Sequence, residues 1–103
     1  MAKVIIEVKK LQNNDLIGRL VVSKAGRDKD QSYIVVNVID DQNVLLANGK
    51  TKTIEMPKRK IRKHVELTNV MDESIKSSIL SQDKNINLII KRFLNLNGTV
   101  KEV

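Results

Sequence analysis

Between residues 50 and 63 the chain places Lys50, Lys52, Lys58, Arg59, Lys60, Arg62 and Lys63 against the single acid Glu55, a net +6 in a sequence whose total is +7. The rest of the chain is therefore close to neutral. A positive field concentrated in one short stretch is what a polyphosphate backbone selects, so nucleic acid is the leading partner. The plainer use of such a run is a solvated face. Catalytic chemistry has much less to stand on. His64 is the single histidine, and it suits a half-exposed structural position better than a general base. Asp28 with Asp30, and Asp40 with Asp41, supply paired carboxylates, but turns use Asp routinely and no metal-ligand spacing accompanies them. The four glycines, Gly18, Gly26, Gly49 and Gly98, are too far apart to make a phosphate-cradling loop. The residues point to a binding protein that is not an enzyme and uses no cofactor or metal.

Composition sets the frame. With 103 residues there is room for one small core and a helical appendage. Hydrophobic residues make up 41% of the chain and aromatics 2%, so only Tyr33 and Phe93 could stack on a base. That argues against readers of single strands built on aromatic platforms and for recognition of folded or duplex RNA by shape. The absence of cysteine excludes a disulfide framework, a thiol nucleophile and a cysteine-based zinc site. Residues 1–11 are too polar for a signal peptide, and no apolar run approaches the roughly 18 residues of a membrane span. A cytoplasmic location without membrane contact is the expectation.

The elements that must carry these residues follow from pattern. Ile17–Lys24 reads as a first strand, closed by Ala25-Gly26 and the charged loop Arg27–Asp30. Ser32–Ile39 reads as a second strand, dense enough in Val and Ile to be buried on both faces. Asp40-Asp41-Gln42 turns the chain into a third, Asn43–Ala47. Asn48-Gly49 supplies a type I′ hairpin signal, which places a fourth strand at Thr51–Met56, stopped by Pro57. His64–Leu67 is a fifth. Short, sequentially adjacent antiparallel strands of this kind form an SH3-like barrel. The basic residues 58–63 then fall between the fourth and fifth strands, in a 3₁₀ turn that Ile61 anchors to the core while the cations radiate outward.

Beyond residue 69 the pattern becomes helical. Asp72-Glu73 opens a helix with Ile75, Ile79 and Leu80, and Ser81-Gln82-Asp83 interrupts it. Asn85–Leu96 carries Ile86, Ile89, Ile90 and Phe93 on one stripe, ended by Asn97-Gly98. Packing on the barrel is the expected use of that stripe, with docking of a protein partner as the other use. Residues 1–11 alternate as a strand would, while Val4, Ile5, Val8 and Leu11 also suit a helix; Thr99–Val103 should fray. The expected division is an N-terminal extension over 1–14, a barrel over 15–69 and a helical segment over 70–103.

Gly18 to Leu67 resembles the KOW-motif RNA-binding proteins, and most closely the branch related to archaeal and eukaryotic large-subunit ribosomal proteins. The resemblance rests on Gly18-Arg19 opening an apolar strand, on Lys24-Ala25-Gly26-Arg27-Asp28-Lys29, and on the run from Tyr33 to Asp40. It extends through Leu46-Ala47-Asn48-Gly49-Lys50, Pro57-Lys58-Arg59-Lys60 and Lys63-His64. It implies an SH3-like barrel, contact with structured RNA, and association with the large ribosomal subunit and its RNA. Arg19, Lys24, Gly26, Arg27 and Lys29 then join the basic segment as RNA-binding residues. Gly26 suits a backbone that needs positive φ or close approach to a ligand. Asp28 and Asp30 offset Arg27 and Lys29 locally, and Asp30-Gln31 stand where the family often has a glycine and a basic residue. A second class of function is a protein-interaction module, such as an accessory of transcription elongation gripping a larger protein through a barrel edge or the last helix.

Overall fold

The computed structural model describes residues 16–97. Along the chain run β1 (Arg19–Ser23), β2 (Ser32–Val38), β3 (Asn43–Ala47), β4 (Lys58–Ile61), a 3₁₀ turn (Arg62–His64), β5 (Val65–Met71), α1 (Glu73–Leu80) and α2 (Ile86–Asn97). The strands form one antiparallel sheet in the order β4-β3-β2-β1-β5. This is the mainly β domain with a helical appendage expected from the sequence. The alternative readings of residues 1–11, and the fraying of 99–103, fall outside the described residues.

Side chains alternate across a strand, so a sheet with two apolar faces needs two partners. On the inner face Val21, Tyr33, Val35, Val44, Leu46 and Val65 pack together with Leu16. On the outer face Leu20, Val22, Ile34, Val36 and Ala47 meet Ile75 and Ile79 of α1 and Ile86, Ile90 and Leu94 of α2. Strand β2 contributes to both, which is why its Val and Ile run shows so little alternation. The stripe on α2 is thus spent inside the molecule. Asp72 starts α1 by accepting from the Ser74 and Ile75 amides at 2.8 and 3.2 Å.

Two glycines make the helical cover possible. At Gly18, φ is +92° and a Cβ would fall 2.9 Å from Cβ of Lys76 on α1. At Gly49, φ is +77° and a Cβ would fall 2.8 Å from the Lys91 amide nitrogen, against the backbone of α2. A side chain at either position would push a helix off the sheet.

The fourth strand is not where the pattern put it. Residues 51–56 form no strand, and β4 begins immediately after Pro57. Local side chains take the backbone groups that a ladder would need. The Asn48 side-chain oxygen accepts from the amides of Lys50 and Lys52, both at 2.9 Å, and Asn87 of α2 takes the Ile54 amide at 2.8 Å. Asn48-Gly49 therefore opens a long loop, 48–57, braced by a helix, and the expected two-residue hairpin turn is not formed. Proline, unable to donate, stands just ahead of the ladder. Strand β5 runs to Met71, past the expected end at Leu67, because Arg19 pairs with Met71 and the Thr68 hydroxyl donates to Leu20 O at 2.6 Å.

Gly49→Ala and Gly18→Ala should each lower unfolding free energy by about 2–3 kcal/mol, combining left-handed strain with displacement of a helix. Gly26→Ala, which meets only ordinary contacts at 3.5 Å, should cost about 1 kcal/mol. Urea unfolding of the three variants checks this order.

Candidate nucleic-acid interface

Register decides what each cation of the basic segment does. In β4, Lys58 lies opposite Leu46 and Lys60 opposite Val44, both residues of the inner core, while Arg59 and Ile61 lie opposite Leu45 and Asn43 on the outer face. Lys58 and Lys60 therefore turn toward the barrel mouth. The expectation that these cations radiate outward around a buried Ile61 is reversed: the Lys60 side chain is 10% exposed and Ile61 is 42% exposed. Placing the strand before Pro57 hid this alternation.

What draws the two lysines inward is Asp28 in the β1–β2 loop. Its carboxylate accepts from Lys60 Nζ at 2.8 Å, from Ser23 Oγ at 2.9 Å and from Tyr33 Oη at 2.8 Å, and Lys58 Nζ lies 3.5 Å away. Lys60 Nζ also donates to Ala25 O at 2.8 Å, tying the loop to β4 a second time. Burial raises the Asp28 pKa, but the hydrogen bonds from Lys60, Tyr33 and Ser23 and the charge of Lys58 outweigh it and hold the carboxyl well below the usual range. Tyr33 moves the other way, above the usual phenol range, through burial and then through the bond to Asp28 and its charge. Asp28 was expected only to offset Arg27 and Lys29, its neighbours in sequence. Its partners here are cations 30 and 32 residues away.

The other named cations divide by location. Arg27 and Lys29 flank Asp28 and are exposed. Lys24, also exposed, donates its amide to His64 O at 2.8 Å, which sets the first loop beside the 3₁₀ turn carrying Arg62 and Lys63. Arg59 and Arg62 make only long contacts of 3.5 Å, to Asn43 Oδ1 and Asp41 O. The β1–β2 loop, the outer side of β4 and the 3₁₀ turn thus assemble one basic rim. Lys50 and Lys52 belong elsewhere, on the loop that α2 braces. Arg19 donates to Thr68 O at 2.7 Å and ties β1 to β5.

Two conformational features complete the rim. Gly26 has φ +90°, the left-handed conformation that its place in the turn called for. Asp30 also has positive φ, +75°, at the position where the resemblance leads one to look for glycine. Tyr33 is 4% exposed with its hydroxyl on Asp28, so it offers no stacking face, and Phe93 packs against the outer core. Among the described residues no group of three or more His, Asp or Glu side chains could hold a metal ion, and no helix is long and apolar enough to cross a membrane.

This strand order, with a 3₁₀ turn between β4 and β5 and a positive-φ glycine in the β1–β2 loop, is that of a small SH3-like barrel. No family model matches the chain. Over 71 residues it is 38% identical to the large ribosomal subunit protein eL14 of Desulfurococcus amylolyticus, covering 68% of this chain and 70% of that protein. The chain belongs to the eL14 family of large ribosomal subunit proteins.

Asp28→Asn should cost about 2–4 kcal/mol near neutral pH, because it leaves Lys60 buried without its counter-charge. A carboxyl lowered on folding contributes stability that is complete above its unfolded value of about 4 and is lost as pH falls toward the folded value. The gap in Tm between parent and Asp28→Asn should therefore narrow steadily below about pH 4. At the alkaline end, the near-ultraviolet absorbance of tyrosinate, arising from the single Tyr33, should stay flat through the usual phenol pKa of about 10 and rise only with unfolding.

Proposed function

We propose that this chain is an RNA-binding protein of the cytoplasmic ribosome, associated with RNA of the large subunit, and that it acts by binding without catalysis or a cofactor. The observation that carries this is the basic rim: Lys24, Arg27, Lys29 and Lys63 make no side-chain hydrogen bond to another described residue, and Arg59 and Arg62 are held only by long ones. Kinship with a large-subunit ribosomal protein supports the same reading. In it, the barrel carries the RNA contacts, and α2 braces the loop bearing Lys50 and Lys52. Lys58 and Lys60 contribute by fixing the first loop. With few aromatic side chains, and Tyr33 buried, contact runs mainly through phosphates and the shape of folded RNA.

Neutralising four or five phosphates predicts that log affinity for structured RNA falls against log salt with a slope of about −3 to −4.5, at roughly 0.7–0.9 per phosphate. Co-sedimentation with large ribosomal subunits should be abolished by ribonuclease. Association that survives ribonuclease, together with a flat salt dependence, would instead support a protein-interaction module.

A further inference from the structure

The outer face of the sheet is only partly covered. Helices α1 and α2 lie over Leu20, Val22, Ile34, Val36 and Ala47, and among the described residues neither helix places a core side chain at the end nearest the Asp40–Gln42 turn. There Ile39 and Ile61 keep 45% and 42% of their surface in water. Beside Ile61 lies an open concavity of about 380 Å³, lined by Asp41, Gln42, Asn43, Ile61, Arg62 and Lys63. Clefts that take small molecules run from roughly 300 to 1,000 Å³, so one nucleotide is a fitting occupant.

The backbone of this concavity is fixed while its side chains are left available. Asp40 Oδ1 accepts from the Gln42 and Asn43 amides, both at 2.8 Å, and Arg62 N donates to Gln42 O at 2.7 Å. The Gln42 amide group and the Lys63 ammonium make no side-chain hydrogen bond to another described residue, and the Arg62 guanidinium reaches only the long contact to Asp41 O. An apolar surface, a free amide and a carboxylate beside two cations match the parts of a nucleotide. The base can lie on Ile61 with its Watson–Crick edge toward Asp41 and Gln42, and its phosphate can meet Arg62 and Lys63. A paired base hides that edge, whereas an unstacked one presents it. A carboxylate accepts from adjacent N–H groups, and guanine alone among the four bases carries a ring N–H next to an exocyclic amino group on that edge.

We propose that this concavity receives an unpaired nucleotide extruded from structured RNA, with Asp41 favouring guanine. The proposal rests on the RNA-binding reading and adds to it the kind of RNA feature that is recognised.

The test uses the full chain and one RNA hairpin in three forms: uninterrupted, with a single bulged uridine, and with a single bulged guanosine. Anisotropy titration should show the guanosine form bound about tenfold more tightly than the uninterrupted form. Asp41→Asn should remove the preference for guanosine over uridine. Ile61→Ser should bring both bulged forms to the affinity of the uninterrupted one when titrated below its own Tm, so that any loss of stability does not enter the comparison. Equal affinity for all three RNAs, with salt dependence intact, would overturn the nucleotide site while leaving phosphate contact standing. Failure to bind any of the three would remove both.

Discussion

Asp28 gives up most of its water on folding, and the barrel is arranged around what replaces that water. A lone carboxylate in such a place would cost several kcal/mol, which Lys60, Tyr33, Ser23 and Lys58 offset together. Because those partners come from β1, β2 and β4, satisfying one charge joins the first loop to the far edge of the sheet. That closure sets the exposed Arg27 and Lys29 on a fixed support. It also places Lys24 beside the 3₁₀ turn, through the backbone bond to His64. Cations held this way lose less freedom on meeting a phosphate than cations on a loose loop.

The same strand periodicity that builds the barrel divides labour along the basic segment. Consecutive residues of β4 face opposite ways, so Lys58 and Lys60 hold the fold together while Arg59, between them, faces solvent. Net charge alone cannot make this distinction. Farther back, Lys50 and Lys52 ride on a loop whose path depends on Asn87 and on the bare backbone of Gly49 against α2. The helices are accordingly part of the barrel's architecture, burying one face of the sheet and shaping a loop that the strands alone would leave unsupported.

Much of this was legible in residues 16–47 and 72–97, where elements are local: the short apolar runs of β1 and β3 between turn signals, the doubly apolar run of β2, the Asp72-Glu73 helix opening and the i, i+3, i+4 stripe of α2. The class of partner was legible in the clustering of charge. Most of what the pattern missed lies between residues 48 and 61, apart from the extension of β5 to Met71. Thr51–Met56 has strand-like composition, but Asn48 and Asn87 capture its amides, and Asn87 approaches only in the folded chain. Once β4 is set before Pro57, Lys58, Arg59 and Lys60 look equivalent and Ile61 looks buried. The pairing of Asp28 with Lys60 spans 32 residues and leaves no local trace, so Asp28 looks like a turn residue beside Arg27.

The division within β4 can be tested at constant net charge by comparing Lys60→Met with Arg59→Met, measuring for each the Tm and the salt dependence of binding to a large-subunit RNA fragment below that Tm. Lys60→Met should lower the Tm markedly and leave the salt slope as in the parent, whereas Arg59→Met should melt like the parent and flatten the slope by about 0.7–0.9. Two variants that both melt normally and flatten the slope equally would contradict that division, since Lys60 would then be an ordinary phosphate ligand and Asp28 would not depend on it.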